Sequence, residues 1–466
     1  MLIYLLIFVF AYTRLINLMG FPPFLDETIY IRWLETIKNT NYWLLSLKEF
    51  GWAPLTTWIS ALINIFVKEN LLSLRLSAGF FGFLSLIIAY KLARLFFKQS
   101  LIVYFISILI ILSPIVLIHD RLGLRGDSAV TFSALLLLYG LFQRLIKKKK
   151  NTAFLIGLAI ALGLLIKSTA WIFPLIVILA YLFFKPKLTK SDFLAGLLPT
   201  SAILFYFFTN SLSAFLNKTN VFLVPPDQSA SLFKNNLIQL FQWSYQYLSW
   251  PVLLMIIFGA IITFKKHYKI WLLLTISIVP VIIFDLFFAK IFFPRYLLFI
   301  TVYSFFFAGF GISFIWKKLP AYLKPLLLLI VFLPNLLTDV AIIKDIKTAK
   351  LPEIERWQYV TGWPSGYNLK ELTDYLKSNP PDILITETDD LIKSGIPYLW
   401  PEHSMEIIFM NDNLQLTATL PVDKLIFLAL NTSEQLPSQF KGELIKKFPR
   451  PENKTSIKLY KIQTIE

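Results

Sequence analysis

Long apolar runs, interrupted by short clusters of lysine and arginine, fill the first 339 residues of this 466-residue chain. No other feature narrows the possible folds as much. A run of about 20 apolar residues can cross the hydrocarbon core of a bilayer as a helix. Eleven spans are predicted, at roughly 1–19, 71–97, 101–118, 128–146, 153–168, 170–184, 192–209, 250–264, 270–288, 296–316 and 322–339. Residues 153–184 as one helix would be about 48 Å long, too long for a single crossing. They are read as two short helices that turn near Lys167-Ser168. Residues 1–11 have no basic stretch before them and no small-residue cleavage site after them, so they read as a retained helix rather than a cleaved signal.

Charge divides the chain in two. Of 45 basic and 28 acidic residues, 30 and 11 lie in residues 1–339, while residues 340–466 are nearly neutral. Charged residues make up 16% of the whole and hydrophobic ones 56%. Soluble domains carry about 25% charged residues, so an ordinary soluble enzyme is excluded, and the hydrophobicity excludes a disordered chain. Seventeen of the 30 basic residues, in clusters near positions 91–98, 144–150, 185–190, 265–269 and 317–324, fall on one side of the predicted spans. The excess of cations in short loops marks the cytoplasmic side. The amino terminus is then cytoplasmic, and residues 340–466 form an extracytoplasmic domain. Ten of the 11 acids fall on or near the opposite side, with Asp192 the exception. The lysines at 147–150 read as a topology signal, so no nucleic-acid partner is expected. The absence of cysteine excludes disulfides and thiolate metal sites.

The fold class is therefore a polytopic α-helical membrane protein with about eleven spans in residues 1–339 and a small α/β domain in residues 340–466. In that domain, residues 382–388 (DILITET), 424–430 (KLIFLAL) and 456–462 (SIKLYKI) read as strands. Residues 368–378 read as a helix with Leu369, Leu372, Tyr375 and Leu376 on one face. Residues 363–366 (WPSG) are turn chemistry, read as a structural loop entering the domain. The first outer loop, about 20–70, has the pattern of short amphipathic helices at the membrane interface, rich in Trp. A second stretch, about 210–249, reads as an outer loop rich in Asn, Gln, Ser, Trp and Tyr.

The candidate functional residues are ionisable groups near membrane depth on the outer side, where charge is costly and tends to face a cavity. Asp26 and Glu27 follow Pro22-Pro23 after the first span. Adjacent carboxylates on a helix point in different directions. They are open to two readings: one carboxylate does chemistry while the other holds a hydroxyl or cation, or both cap the next helix. His119, Asp120, Arg121, Arg125 and Asp127 crowd one short loop, either as an anion-handling rim or as an exposed turn with Asp127 capping a helix. Lys290, Arg295 and Tyr296 sit at another outer turn. An arginine fork suits phosphate oxygens, although a snorkelling interfacial cation would look the same. Asp285 lies in an apolar run and needs a partner, for which Lys290 and Arg295 are candidates. Lys167 stands at the tight turn of the short helix pair. Acids and phosphate-type cations thus collect on one face of a membrane domain.

The order of these pieces resembles the GT-C superfamily of polyprenyl-phosphate-sugar glycosyltransferases, in the protein mannosyltransferase and aminoarabinose transferase group. The resemblance covers about residues 1–320 and rests on LDE in the first loop, WAPLTTWI, LRLSAGFFGFLSLIIAYKLARLFF, LSPIVLIHDRLGLRGDS, GLAIALGLLIKSTAW and FFPRYLL, in that order. It implies transfer of a sugar from a polyprenyl phosphate to an acceptor hydroxyl of a protein, lipid or glycan at the outer face, with inversion. It implies Asp26 as general base and Asp127 as a second acid that helps place the acceptor. It also implies phosphate binding by Arg295, with Arg121, Arg125 and Lys167 as further candidates. No cofactor and no metal is expected: the first loop has no DxD and the three histidines lie far apart in sequence. The rival reading is a secondary transporter or lipid-linked glycan flippase, against which stands the lack of an internal repeat.

Overall fold

Apolar helices dominate the computed structural model, which describes residues 2–463 apart from 124–125, 388–389, 412–414, 417–419, 422 and 434. Among the described residues, eight helices are long and apolar enough to cross a membrane. A ninth candidate is the pair Ser100–Ile111 and Pro114–Arg121, bent by 57°. Pro114 has no N–H to continue the first of these helices. Lys150–Ile166 and Ser168–Phe184 are shorter apolar helices. Each of the eleven predicted spans coincides with one of these helices or pairs. The split of residues 153–184 is observed: Lys167 is extended at φ −164, ψ 148 between the helix Ala153–Ile166 and the turn Ser168–Ile172.

The chain forms two compact units. The first comprises Met1–Leu18, Ile37–Lys344 and Thr348–Pro352, and the second Met19–Thr36, Asp345–Lys347 and Glu353–Glu466. This division differs from a single cut after residue 339, because the segment bearing Asp26 groups with the carboxy-terminal domain.

In the first unit, small residues set the closest helix approach. A Cβ at Gly259 would collide with the Phe307 carbonyl, and one at Gly311 would lie 2.6 Å from the Met255 carbonyl oxygen. Glycine lets the helices Ser229–Lys266 and Leu298–Lys318 touch backbone to backbone, as membrane helices do where no hydrophobic force distinguishes protein from lipid. Contrary to the loop reading of 210–249, most of that stretch is helical, in Leu212–Asn220 and Ser229–Lys266. Its buried Asn236, Trp243 and Tyr247 recur at spacings of seven and four on one helical face. The polar composition hid that period. The long helix breaks at Ser249, where φ is 57 and ψ 155.

The second unit holds a five-stranded sheet in the order β2-β1-β3-β5-β4. β1 (Ile383–Thr386) runs parallel to β2 (Glu406–Phe409) and to β3 (Ile426–Leu430). β5 (Ser456–Gln463) is antiparallel to β3 and to β4 (Lys441–Pro449). The three strands read from sequence are β1, β3 and β5, of which β1 and β3 are buried throughout. The predicted first strand ended at Thr388, which lies outside the described residues. β2 and β4 are the sheet edges and carry mainly exposed or half-buried side chains, so they lack the apolar run that marks a central strand. The helix Leu369–Ser378 packs Leu369, Leu372 and Leu376 into the core on one side of the sheet.

The Asp26 segment is built into this unit. Leu25 N donates to Pro364 O at 2.9 Å, Phe24 meets Tyr359 edge-on with ring centroids 5.2 Å apart, and Leu25 packs against the core of the sheet domain. A Cβ at Gly366 would run into the Pro23 carbonyl, so only glycine permits this approach. The WPSG turn is itself pinned: Arg450 Nε donates to Ser365 O at 3.0 Å and its Nη2 to Asn431 Oδ1 at 2.5 Å.

Candidate functional site

Within the first unit, chain breaks bring sequence-distant charges to one cavity. Its volume is about 360 Å³, and Lys167, Asp285, Arg295 and Tyr296 are among its lining residues. Most of the rest of the wall is apolar and aromatic, including Trp171, Phe215, Phe284 and Phe299. Lys167 is available because the helix Ala153–Ile166 stops one residue earlier. Arg295 sits in the turn Pro294–Leu297 that opens the helix Leu298–Lys318. Asp285 lies near the end of the helix Tyr268–Phe288.

The two cations are 6% and 3% exposed, a costly state unless they are partnered. Lys167 Nζ pairs with Asp127 Oδ1 and stands 5.4 Å from the centre of the Tyr296 ring. The Arg295 guanidinium lies 4.1 Å from the Phe293 ring centre and 5.9 Å from that of Tyr296. Tyr296 thus stands in cation–π range of both. Asp127 opens the helix Asp127–Leu141, where a carboxylate is favoured by the helix dipole. Four of the candidate residues, Asp127, Lys167, Arg295 and Tyr296, therefore form one linked cluster. An ammonium has three donors and a guanidinium five. Together with apolar walls, that arrangement can hold an anion attached to a greasy chain.

The other candidates are placed differently. Lys290 is exposed and does not line the cavity. Asp285 shares the cavity with Lys167 and Arg295, and among the described residues neither of its two expected partners is ion-paired with it. Arg121 is fully buried and points its fork at the end of the first helix. Its Nη1 donates to Thr13 O at 2.7 Å and its Nη2 to Asn17 O at 2.9 Å. Thr13 lies in the last turn of the helix Leu2–Leu15, whose carbonyls have no partner within the helix, and Asn17 lies in the turn that follows. Asp120 takes two bonds from Arg14, at 3.2 and 3.1 Å, and one from Ser128 Oγ at 2.7 Å. Arg14 also donates to Ile111 O at the 57° bend. The crowded loop is thus in large part a buried brace between broken helices. Arg125 lies outside the described residues.

In the second unit, Asp26 and Glu27 stand in the first turn of the helix Leu25–Thr40, 3% and 0% exposed. Glu27 Oε2 accepts from Phe24 N at 3.4 Å, so this carboxylate turns back on its own helix start. Asp26, one residue earlier, points in a different direction around the helix. Among the described residues no group of three or more His, Asp or Glu could hold a metal ion.

Fold and sequence comparisons agree on a class. A family model described as dolichyl-phosphate-mannose-protein mannosyltransferase matches residues 51–213, the stretch from the first loop to the helix Leu212–Asn220. The chain has the GT-C glycosyltransferase fold that its sequence resembles. It is similar to ArnT from Cupriavidus metallidurans in the apo state, with TM-score 0.63 at 12% identity over 98% of this chain and 96% of that one. The same protein bound to undecaprenyl phosphate gives 0.61 at 12% identity over 98% and 97%. The oligosaccharyltransferase AglB from Archaeoglobus fulgidus, in complex with an inhibitory peptide and a dolichol-phosphate, gives 0.55 at 11% identity over 91% of this chain and 68% of that one. No curated protein sequence matches the chain.

Proposed function

We propose that this protein is an integral-membrane glycosyltransferase that moves a sugar from a polyprenyl phosphate to an acceptor hydroxyl. The observation that carries the proposal is the cavity in which buried Lys167 and Arg295 share aromatic and aliphatic walls. A lipid phosphate has that chemistry: two cations meet its oxygens and the apolar wall meets its first isoprene units. The likeness to ArnT bound to undecaprenyl phosphate and to AglB with dolichol-phosphate supports the same donor class. The reported matches give no support to the transporter or flippase alternative.

The chemistry follows from the leaving group. An acceptor oxygen attacks the anomeric carbon and gives its proton to the Asp26 carboxylate. The bond from the anomeric carbon to the phosphate oxygen breaks, and that oxygen keeps the electron pair. Direct displacement inverts the anomeric centre. The phosphate departs as an anion, so no acid is required to protonate it, unlike glycosidases that use two carboxylates. Lys167 and Arg295 stabilise the charge that grows on it. Asp127 holds Lys167 in place and helps set the acceptor. The acceptor is a hydroxyl of a protein, lipid or glycan.

No metal takes part in the reaction. Transfer by purified protein is expected to persist in excess chelator; loss of activity that a divalent cation restores would overturn this. The lysine distribution supports an amino terminus in the cytoplasm and residues 340–466 outside. Protease added to intact spheroplasts is expected to remove the carboxy-terminal domain. Cleavage only after the membrane is opened would reverse the orientation.

A further inference from the structure

The first unit contains a second and larger cavity, of about 760 Å³, unrelated to the cationic cluster. It forms where the helix Ser229–Lys266 breaks. Ser249 is held at φ 57, ψ 155, a backbone region that is close to glycine-only and that persists at functional sites when the surroundings enforce it. Pro251, two residues on, has no N–H to give. The helix Lys324–Lys344 lines another wall with Pro334, Asn335 and Thr338.

Two observations point to a ligand. Asn335 is 2% exposed, and its Nδ2 has no hydrogen-bond partner among the described residues. The Oγ of Ser249 is buried and likewise unpartnered among them. Buried amides and hydroxyls are ordinarily bonded, because leaving them unbonded is costly. The mouth has a different chemistry. Tyr245 and Trp250 are 49% and 60% exposed, with ring centroids 4.9 Å apart, and Leu337 is 62% exposed. On a membrane helix such side chains face lipid, and Trp and Tyr favour its interfacial level.

The lining selects among headgroups. No carboxylate is among the cavity's described lining residues, so nothing in that lining favours a cation. The one cation among its described lining residues is Lys350, which is exposed, in contrast to the two buried cations of the other cavity. What remains is neutral hydrogen bonding inside and flat aromatic rings at a lipid-facing mouth. We propose that this groove binds a membrane molecule with a neutral, hydroxyl-rich headgroup of the glycoside type. The headgroup enters sideways from the bilayer, sets its hydroxyls on Asn335 and Ser249, and lays the C–H face of its ring against Trp250.

Photolabelling of the full chain in lipid nanodiscs tests it, with an alkyl glucoside carrying a diazirine on its alkyl chain and a matched alkyl phosphate. The glucoside is expected to label peptides covering residues 245–251 and 333–351 saturably. Unlabelled alkyl glucoside should compete and the alkyl phosphate should not. Trp250→Ala and Asn335→Leu should each weaken labelling about fivefold, the loss of one contact. Trp250 is exposed, so its replacement leaves the fold intact, and an unchanged thermal midpoint verifies this. Labelling that does not saturate, that survives both substitutions, or that the alkyl phosphate competes equally well would overturn the proposal. The last outcome would make the groove an anion site.

Discussion

Asp26→Asn is expected to lower the transfer rate by about 10²–10⁴-fold, the range associated with losing a positioned general base. The substitution keeps the side-chain shape but removes the charge and, with it, the ability to take the acceptor proton. It leaves the fold in place for identifiable reasons. The segment before it is fixed by the bond from Leu25 N to Pro364 O, the Phe24–Tyr359 contact and the close passage of Gly366 by Pro23. The start of its helix is held by Glu27, which accepts from Phe24 N. The lost charge at the first turn costs about 0.3–1 kcal/mol, too little to unfold the domain. The measurement is single-turnover transfer from a polyprenyl-phosphate sugar, with donor binding determined separately. A folded Asp26→Asn protein with an unaltered rate would remove Asp26 from the base role. Glu27→Gln provides the contrast. Because Glu27 is turned onto its own helix, this change should act mainly on stability.

The membrane spans were legible in the sequence because the bilayer imposes one length and one polarity on each of them. The break at Lys167 was legible for the same reason, since 153–184 was too long for one crossing. The buried strands β1 and β3 announced themselves as short apolar runs, whereas the edge strand β4 did not, because its exposed Lys441, Lys446 and Lys447 dilute the pattern. The helical stretch before Ser249 was missed because Asn236, Trp243 and Tyr247 are buried on one face but are not uniformly apolar. At the site, the sequence could nominate charges near membrane depth. It could not tell where each one pointed. Asp127, Lys167 and Arg295 are separated by 40 or more positions and meet only through tertiary packing. Lys290, five residues before Arg295, is exposed. The grouping of the Asp26 segment with the sheet domain had no local signal, because it depends on the WPSG turn more than 300 residues away.

Arg295 and Arg121 look alike in the sequence, as arginines at outer turns, and the structure places them differently. Arg295 lines the cavity beside Lys167, Tyr296 and Asp285. Arg295→Ala is expected to lower kcat/KM by about 10²–10³-fold, the usual loss when one preorganised stabiliser of developing charge is removed. Donor affinity should fall and acceptor affinity should not. Arg295→Lys should recover only part of the loss, because an ammonium cannot form the two parallel bonds of the guanidinium fork. Arg121 is occupied by the carbonyls of Thr13 and Asn17. Its replacement by alanine strips buried acceptors of their partners, at a cost of about 1–3 kcal/mol. The expected readout for Arg121→Ala is a lower thermal midpoint with unchanged donor affinity. Measured together by donor titration and thermal unfolding, the two variants should separate along these axes. If Arg121→Ala weakened donor binding as much as Arg295→Ala, the phosphate site would have to be redrawn around the end of the first helix, away from the aromatic cavity. Equal donor affinity in wild type and Arg295→Ala would remove that cavity as the place where the leaving phosphate is held.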